Sequence, residues 1–314
     1  MDITLSSFIA AIAVMAAPLV LATLGETLTE KAGVVNLSLD GTILLSAMTG
    51  FVVASRSQSL ALGFLAAALT GCAVAAILAF IGVWLGQSQV AVGFALTFLC
   101  RDLAYFLGHP YARQQGPQLA TLPLPFLSDF PFFGKVLFSH SLVIYASFLA
   151  IPCCSYFLYR TRQGLLLRAA GENPEGCWAR GINPTRVQML ATMAGGMLVG
   201  LGGAAFSLSV KPGWGQPQGC EGIGWIALAL VIFGSWHPLR VVAGAYLFGM
   251  LQLLGIYLQD FFPAIPAQIF QVAPFPLMIF TLVLIHLSSN RQTLAMRLFS
   301  GSPPKWLGKA YRRV

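Results

Sequence analysis

The charged side chains of this chain are few, ten acidic and eighteen basic, and the acids gather where they could act. Glu26, Glu30 and Lys31 precede Asn36 and Asp40; Asp102 follows Arg101; Glu172 and Glu175 flank Asn173-Pro174; Glu221 stands between Trp214 and Trp225. Covalent chemistry is a poor match for this set. The four histidines, His109, His140, His237 and His286, are scattered. The six cysteines, Cys72, Cys100, Cys153, Cys154, Cys177 and Cys220, form no C-x-x-C pair and have no His spaced to complete a zinc site. Most of them fall in apolar runs, where a thiol packs as a small hydrophobe. No Ser/His, paired-Asp or His-Glu constellation sits at one depth. No catalytic residue, no metal ligand and no cofactor is therefore assigned. The phosphate-cradling G-x-x-x-x-G-K-S/T loop is absent too, so any ATP must be hydrolysed by another subunit.

The elements that position these residues follow from hydropathy. Hydrophobic residues make up 57% of the 314, charged residues 9%, and the mean hydropathy is +0.78. A soluble domain carries roughly 25% charge, so lipid is the solvent here. Apolar windows of about 20 residues predict an all-α polytopic membrane protein of about nine transmembrane helices. They fall near 5–24, 36–54, 60–84, 90–107, 138–159, 188–209, 222–235, 240–258 and 269–288. The seventh is short and sits close to the eighth across Trp236-His237-Pro238, as a tight helical pair. The first run, from Phe8 to Leu24, has only Asp2 before it and no small-residue cleavage site, so it is expected to be a retained helix rather than a signal peptide.

Charge then gives the expected orientation. Segments 25–35, 160–187, 236–240 and 289–314 hold thirteen of the eighteen Lys/Arg residues. The positive-inside rule puts those segments in the cytoplasm, with the N-terminus external and the C-terminus cytoplasmic in the cell inner (plasma) membrane. The net charge of +8 calls for anionic inner-leaflet lipid rather than nucleic acid. The organisation expected is a transmembrane domain over 1–290 and a basic cytoplasmic tail over 291–314. Within the domain, the external loop 108–137 holds Pro110, Pro117, Pro123, Pro125 and Pro131, a composition that resists regular helix and suits an ordered loop. The internal loop 160–187 is polar and basic.

That internal loop specifies a short capped helix. Gly171 is placed to end a preceding helix in a left-handed conformation. Asn173 is an N-cap, Pro174 fits the first helical position, and Glu175 lies in the first turn, where the helix dipole favours an anion. The helix runs to about Arg180 and is closed by Gly181 and Asn183-Pro184. Two uses are open: a surface helix anchored through Trp178 at the headgroups, or a rigid knob that docks in a cytoplasmic partner and passes on its movement.

The stretch LRAAGENPEGCWARGIN resembles the cytoplasmic coupling segment of ABC permeases for simple sugars, nucleosides and branched-chain amino acids. LGETLTEKAGVVNLSLDGTILLSAMTG and GIGWIALALVIFGSWHPLRVVAGAYLFG resemble two further segments of that family, in the expected order, and the resemblance covers about residues 8–288. It implies a type II ABC importer permease fold of the nucleoside/simple-sugar branch. It also implies cytoplasmic ABC ATPase subunits, a second permease subunit (homo- or heterodimer) and an external solute-binding protein as partners. Carried onto this chain, the ATPase-coupling residues are Gly171, Glu172, Asn173, Pro174, Gly181 and Ile182. Gly176, Cys177 and Trp178 replace a run that the family fills with alanine, which alters the docking surface at Trp178. Members with ten spans have one more N-terminal helix; this chain begins at what resembles their second.

Elsewhere the residues leave alternatives. Glu26, Glu30 and Lys31 suit an ion-paired turn, while Asn36 and Asp40 suit entry into the bundle, where they would line or gate a path. Arg101 and Asp102 suit a mutual ion pair. The GGMLVGLGGAAF run, 195–206, suits close helix packing. Trp214, Trp225 and Glu221 flank the seventh span and could stack on a sugar or base, which makes Trp225 a path candidate with Asn36 and Asp40. The function expected is transport of a small polar solute, as the permease of an ABC importer for purine nucleosides or simple sugars. An ion-coupled secondary transporter, which would want embedded carboxylates and an internal repeat, is the alternative.

Overall fold

The computed structural model describes residues 5–262 apart from seven in the 115–132 stretch, together with 269, 272, 276, 280, 303–309 and 311. The chain enters through α1, Leu5–Lys31, and turns into α2, Leu39–Ser57. Next come α3, Leu60–Ala79, extended by a π-helical turn over Phe80–Trp84, and α4, Gln89–Gly108. The proline-rich connection then forms a two-stranded antiparallel ribbon of β1, Thr121–Pro123, and β2, Ser139–Ser141, with the short α5, Phe133–Leu137, between. α6, Leu142–Arg160, leads to α7, Arg162–Glu172, and α8, Pro174–Ala179. α9, Pro184–Ala205, also ends in a π-turn, over Phe206–Val210. α10, Ile223–Phe233, and α11, Pro238–Phe261, follow.

Six of these helices are long and apolar enough to cross a membrane: α1, α3, α4, α6, α9 and α11. Among the described residues the count is lower than the nine expected, for three reasons. α2 has 19 residues but opens on Asp40 and closes at Arg56, and most of it is buried. α10 has 11 residues, roughly 16 Å of helix, which is half a crossing. The stretch 269–288 lies largely outside the described residues.

α9 is the pillar on which the bundle closes, and its glycines explain how. A Cβ on Gly195 would run into the Gly25 backbone of α1, and one on Gly203 into Ile43 and Ala47 of α2. Gly196 and Gly200 meet α3 in the same way, at Gly71 and at Ala67 and Ala68. Lipid supplies no hydrophobic drive between helices, so backbones brought this close gain their cohesion from dispersion contacts.

Connections sort to two ends. At one end Arg113 N–H donates to the Trp214 carbonyl (3.0 Å), Leu119 N–H to the Leu208 carbonyl (3.0 Å), and the Arg56 guanidinium lies 5.2 Å over the Tyr111 ring. The other end gathers residues 32–38, α7, α8, the 234–237 turn and the segment 303–309.

Candidate functional site

At the second end, α7 starts on Thr161, whose Oγ1 accepts from Gly164 N–H at 3.0 Å. α8 starts on Asn173, whose Oδ1 accepts from Gly176 N–H at 2.9 Å, with Pro174 at the first helical position and Glu175 in the first turn. Its far end closes through Gly181 N–H to the Trp178 carbonyl (2.8 Å) and Ile182 N–H to the Cys177 carbonyl (3.0 Å), with Gly181 at φ +77°. Asn183 then caps α9, accepting from Arg186 N–H at 3.2 Å. Three caps within 23 residues leave this element little freedom to fray. Pro174 and Cys177 are buried, Glu172, Asn173 and Gly181 are exposed, Ile182 is half-buried, and Trp178 keeps 37% of its surface exposed.

Gly171 acts differently from the left-handed terminator expected. It remains helical, and α7 runs through it to Glu172. An added Cβ there would meet the Lys31 carbonyl, and Ala32 and Gly33 at 3.0 Å. The residue is a contact point at which the end of α7 rests on the end of α1. The Gly171 carbonyl also accepts from Trp306 N–H, and Gly308 N–H donates to the Gly33 carbonyl, both at 3.0 Å. Residues 304–308 thus bridge the two helix ends. A second tie runs through aromatic rings: Tyr159 of α6 stacks on His237 at 5.3 Å, and the Arg168 guanidinium of α7 lies 5.2 Å over Tyr159. Burial, then Arg240 and Lys31, hold the His237 imidazole below its ordinary value of 6.5.

The polar residues near the end of α1 enter the bundle. Glu26 and Glu30 are buried at 0% and 2% exposure, and the ion-paired turn expected at Glu26, Glu30 and Lys31 does not form. Residues 33–38 are irregular backbone buried in protein, so each polar group needs a protein partner. Val35 N–H donates to Gln89 Oε1 (2.9 Å), Asn36 N–H to Glu26 Oε1 (3.3 Å), and Thr97 Oγ1 to the Leu37 carbonyl (2.6 Å). Asn36 Oδ1 accepts from both the N–H and the Oγ of Ser38, at 3.1 and 2.6 Å. Trp236 Nε1 donates to Glu30 Oε2, joining α1 to the α10–α11 turn. Asp40 Oδ1 accepts from Gly222 N–H (2.7 Å) and Gly224 N–H (3.1 Å), which makes it the N-terminal cap of the half-helix α10. Gly224 is needed for that approach, since a Cβ would strike the Leu39 and Asp40 backbone. Trp225 is half-buried with its ring 5.4 Å from that of Phe94.

At the first end Glu221 is the organising anion, accepting from Tyr105 OH, Gln218 N–H (2.7 Å) and Gly219 N–H (2.6 Å). Burial works to raise its carboxyl, and these hydrogen bonds outweigh burial and hold it below its ordinary value. Arg101 and Asp102 are exposed and form no mutual ion pair among the described residues.

A crossing bundle centred on a glycine-rich pillar, a half-helix capped from a distant span and a stiff paired helix at one end meet a decisive match. The family model of the branched-chain amino acid transport system permease component covers residues 8–282. The chain belongs to that family. It is a multi-pass inner-membrane permease component of an ABC transport system, and not an enzyme. The permease is 38% identical over 247 residues to the putative glucose ABC transporter permease protein TsgC13 of Haloferax volcanii, covering 77% of this chain and 74% of that one. It is 33% identical to the guanosine ABC transporter permease protein NupQ of Bacillus subtilis, covering 90% and 93%. The nucleoside ABC transporter permease protein NupC of Lactococcus lactis is 28% identical over 90% and 92%. No solved structure matches the permease.

Sequence reasoning missed three parts of these sites in the permease: Glu30 with Trp236, Tyr105 with Glu221, and the bridge from residues 304–308. None carries a local signal, because the partners are 206, 116 and more than 130 residues apart. The capping of α10 had a faint one, a Gly-x-Gly opening an apolar run too short to cross.

Proposed function

We propose that this permease imports a purine nucleoside or simple sugar by alternating access, with α8 as the coupling helix. Separate cytoplasmic ATPases would drive it, an external binding protein would deliver solute, and a second permease subunit, the same or different, would complete the pathway. The end bearing α7 and α8 faces the cytoplasm in this reading, with the N-terminus external and the C-terminus cytoplasmic. The observation that carries it is the contact of the end of α7, beside α8, with the end of α1. A knob capped at both ends, adjoining a glycine contact with the first helix, can pass displacement to the bundle without melting. Glu172, Asn173, Pro174, Trp178, Gly181 and Ile182 form the docking surface, and Gly171 passes the movement on. Asp40 caps the half-helix α10 and Trp225 lies in its first turn; with Asn36 they are the path candidates, and tilting of α10 would open or close the path.

The relatives named for guanosine, nucleoside and glucose transport support the solute class. The test is uptake of radiolabelled guanosine and glucose by the complete transporter carrying Glu172→Lys with Pro174→Ala. ATP-driven uptake is expected to vanish while membrane insertion persists. Unchanged uptake by the double variant removes α8 from the mechanism, and gradient-driven uptake by the isolated permease replaces the ABC mechanism with an ion-coupled one.

A further inference from the structure

At the end of the bundle opposite α8, a cavity of about 610 Å³ lies between the middle of α1, the π-turn of α9, the 211–222 loop and the second half of α11. Its size falls within the range of small-molecule sites, roughly 300–1,000 Å³. Its lining is part apolar, with Met15, Phe206, Ile223 and Ile256, and part polar, with Lys211, Glu221, Gln252 and Gln259. The two charged groups are already engaged. Lys211 Nζ donates to the Gln218 carbonyl at 2.7 Å, and Glu221 holds Tyr105 and the backbone of Gln218 and Gly219. One cation and one anion, each held by protein, leave the described lining with no net charge to attract an ionic solute.

The two glutamines differ from them. They are seven residues apart on α11, so they share a helix face, and neither makes a hydrogen bond among the described residues. Each amide offers two donors and an acceptor. Gly255 lies between them in the lining and, having no side chain, adds no bulk there.

We propose that this cavity is the solute vestibule of the permease, in which Gln252 and Gln259 hydrogen-bond a neutral ring-shaped solute laid against the apolar part of the lining. The proposal rests on the importer reading above and adds to it a location, two specificity residues and a charge class. Hydroxyls of a sugar or the polar edge of a purine satisfy the amides, while one ring face covers the apolar side chains. A phosphate or carboxylate meets the Glu221 carboxylate as well as Lys211, gains no net charge attraction and is disfavoured.

The experiment uses the complete transporter in proteoliposomes, with radiolabelled guanosine, glucose and guanosine monophosphate as probes. Two variants are compared with the unaltered protein: Gln252→Ala with Gln259→Ala, and Gly255→Leu, which fills the cavity. Assembled complex is quantified by size exclusion for each. Losing two solute hydrogen bonds is expected to reduce uptake of the carried neutral probe about ten-fold at low solute concentration, and Gly255→Leu to reduce it at least as far. If Gly255→Leu does not assemble, the double glutamine variant decides alone. Unaltered uptake in the assembled double variant overturns the vestibule and leaves the importer reading standing. Efficient transport of guanosine monophosphate overturns the charge class. If the unaltered transporter carries neither guanosine nor glucose, the importer reading for neutral ring solutes falls, and the vestibule falls with it.

Discussion

The two ends of the bundle are built to opposite specifications. Around α8, helix ends touch backbone to backbone, at Gly171 against Lys31, Ala32 and Gly33, and are tied across by residues 304–308. Around Glu221, a 12-residue loop, 211–222, is held by side chains reaching to backbone, and a large cavity stands beside it. The α8 end is packed to move as one body, because backbones in contact cannot slide past one another. The Glu221 end holds its shape through hydrogen bonds that can be exchanged one at a time, which suits the vestibule proposed there. The half-helix α10 links them, capped by Asp40 at its start and followed by the Trp236–Glu30 bond at its finish.

The sharpest way to break this contrast is to add one methyl group at each end. Gly171→Ala must push the α1 backbone aside and is expected to cost about 2 kcal/mol of stability in detergent. Gly215→Ala meets only the Pro217 carbonyl at 3.9 Å and is expected to change stability by less than about 0.5 kcal/mol. Equal shifts in Tm for the two variants would mean that the ends do not differ in packing.

A smaller effect is expected from the caps. Asn173→Ala removes the acceptor for Gly176 N–H and should destabilise α8 by about 1 kcal/mol. Hydrogen exchange of the α8 amides is expected to speed up several-fold, with no change in the 211–222 loop. Faster exchange at both ends would show that α8 is not an independent unit.

The mildest probe is pH, because the ends carry groups perturbed in different windows. His237 is held below its ordinary value, so the unfolded chain takes up the proton first; stability is full above pH 6.5 and declines as pH falls below it. Glu221 is also held low, from an ordinary 4.5. Its contribution persists through that first decline and is lost only as pH drops below about 4.5 toward its folded value. Tm measured against pH should show two successive losses, the first abolished by His237→Gln and the second by Glu221→Gln. A single loss insensitive to His237→Gln would remove the imidazole from the ties at the α8 end.

Much of the frame was legible because it is written locally. Span positions come from runs of apolar residues, and the π-helical turn that extends α3 ends where the run ends, at Trp84. The α8 caps come from Asn173-Pro174 and Asn183-Pro184, where residue and backbone act within three positions of each other. The glycine run 195–206 announced close packing, although not that successive glycines would serve three different partners.

Sequence alone determined that this chain lives in lipid, roughly where its long apolar helices lie, and that a short capped helix interrupts a basic loop. Tertiary structure decided the rest: that Asp40 caps α10 from 182 residues away, that Gly171 is a contact rather than a turn, and that Glu26 serves a buried backbone N–H. The physical reason is the solvent. Inside a bilayer every polar group off the helix axis must find a protein partner, and which partner it finds depends on how helices stack rather than on any period along the chain.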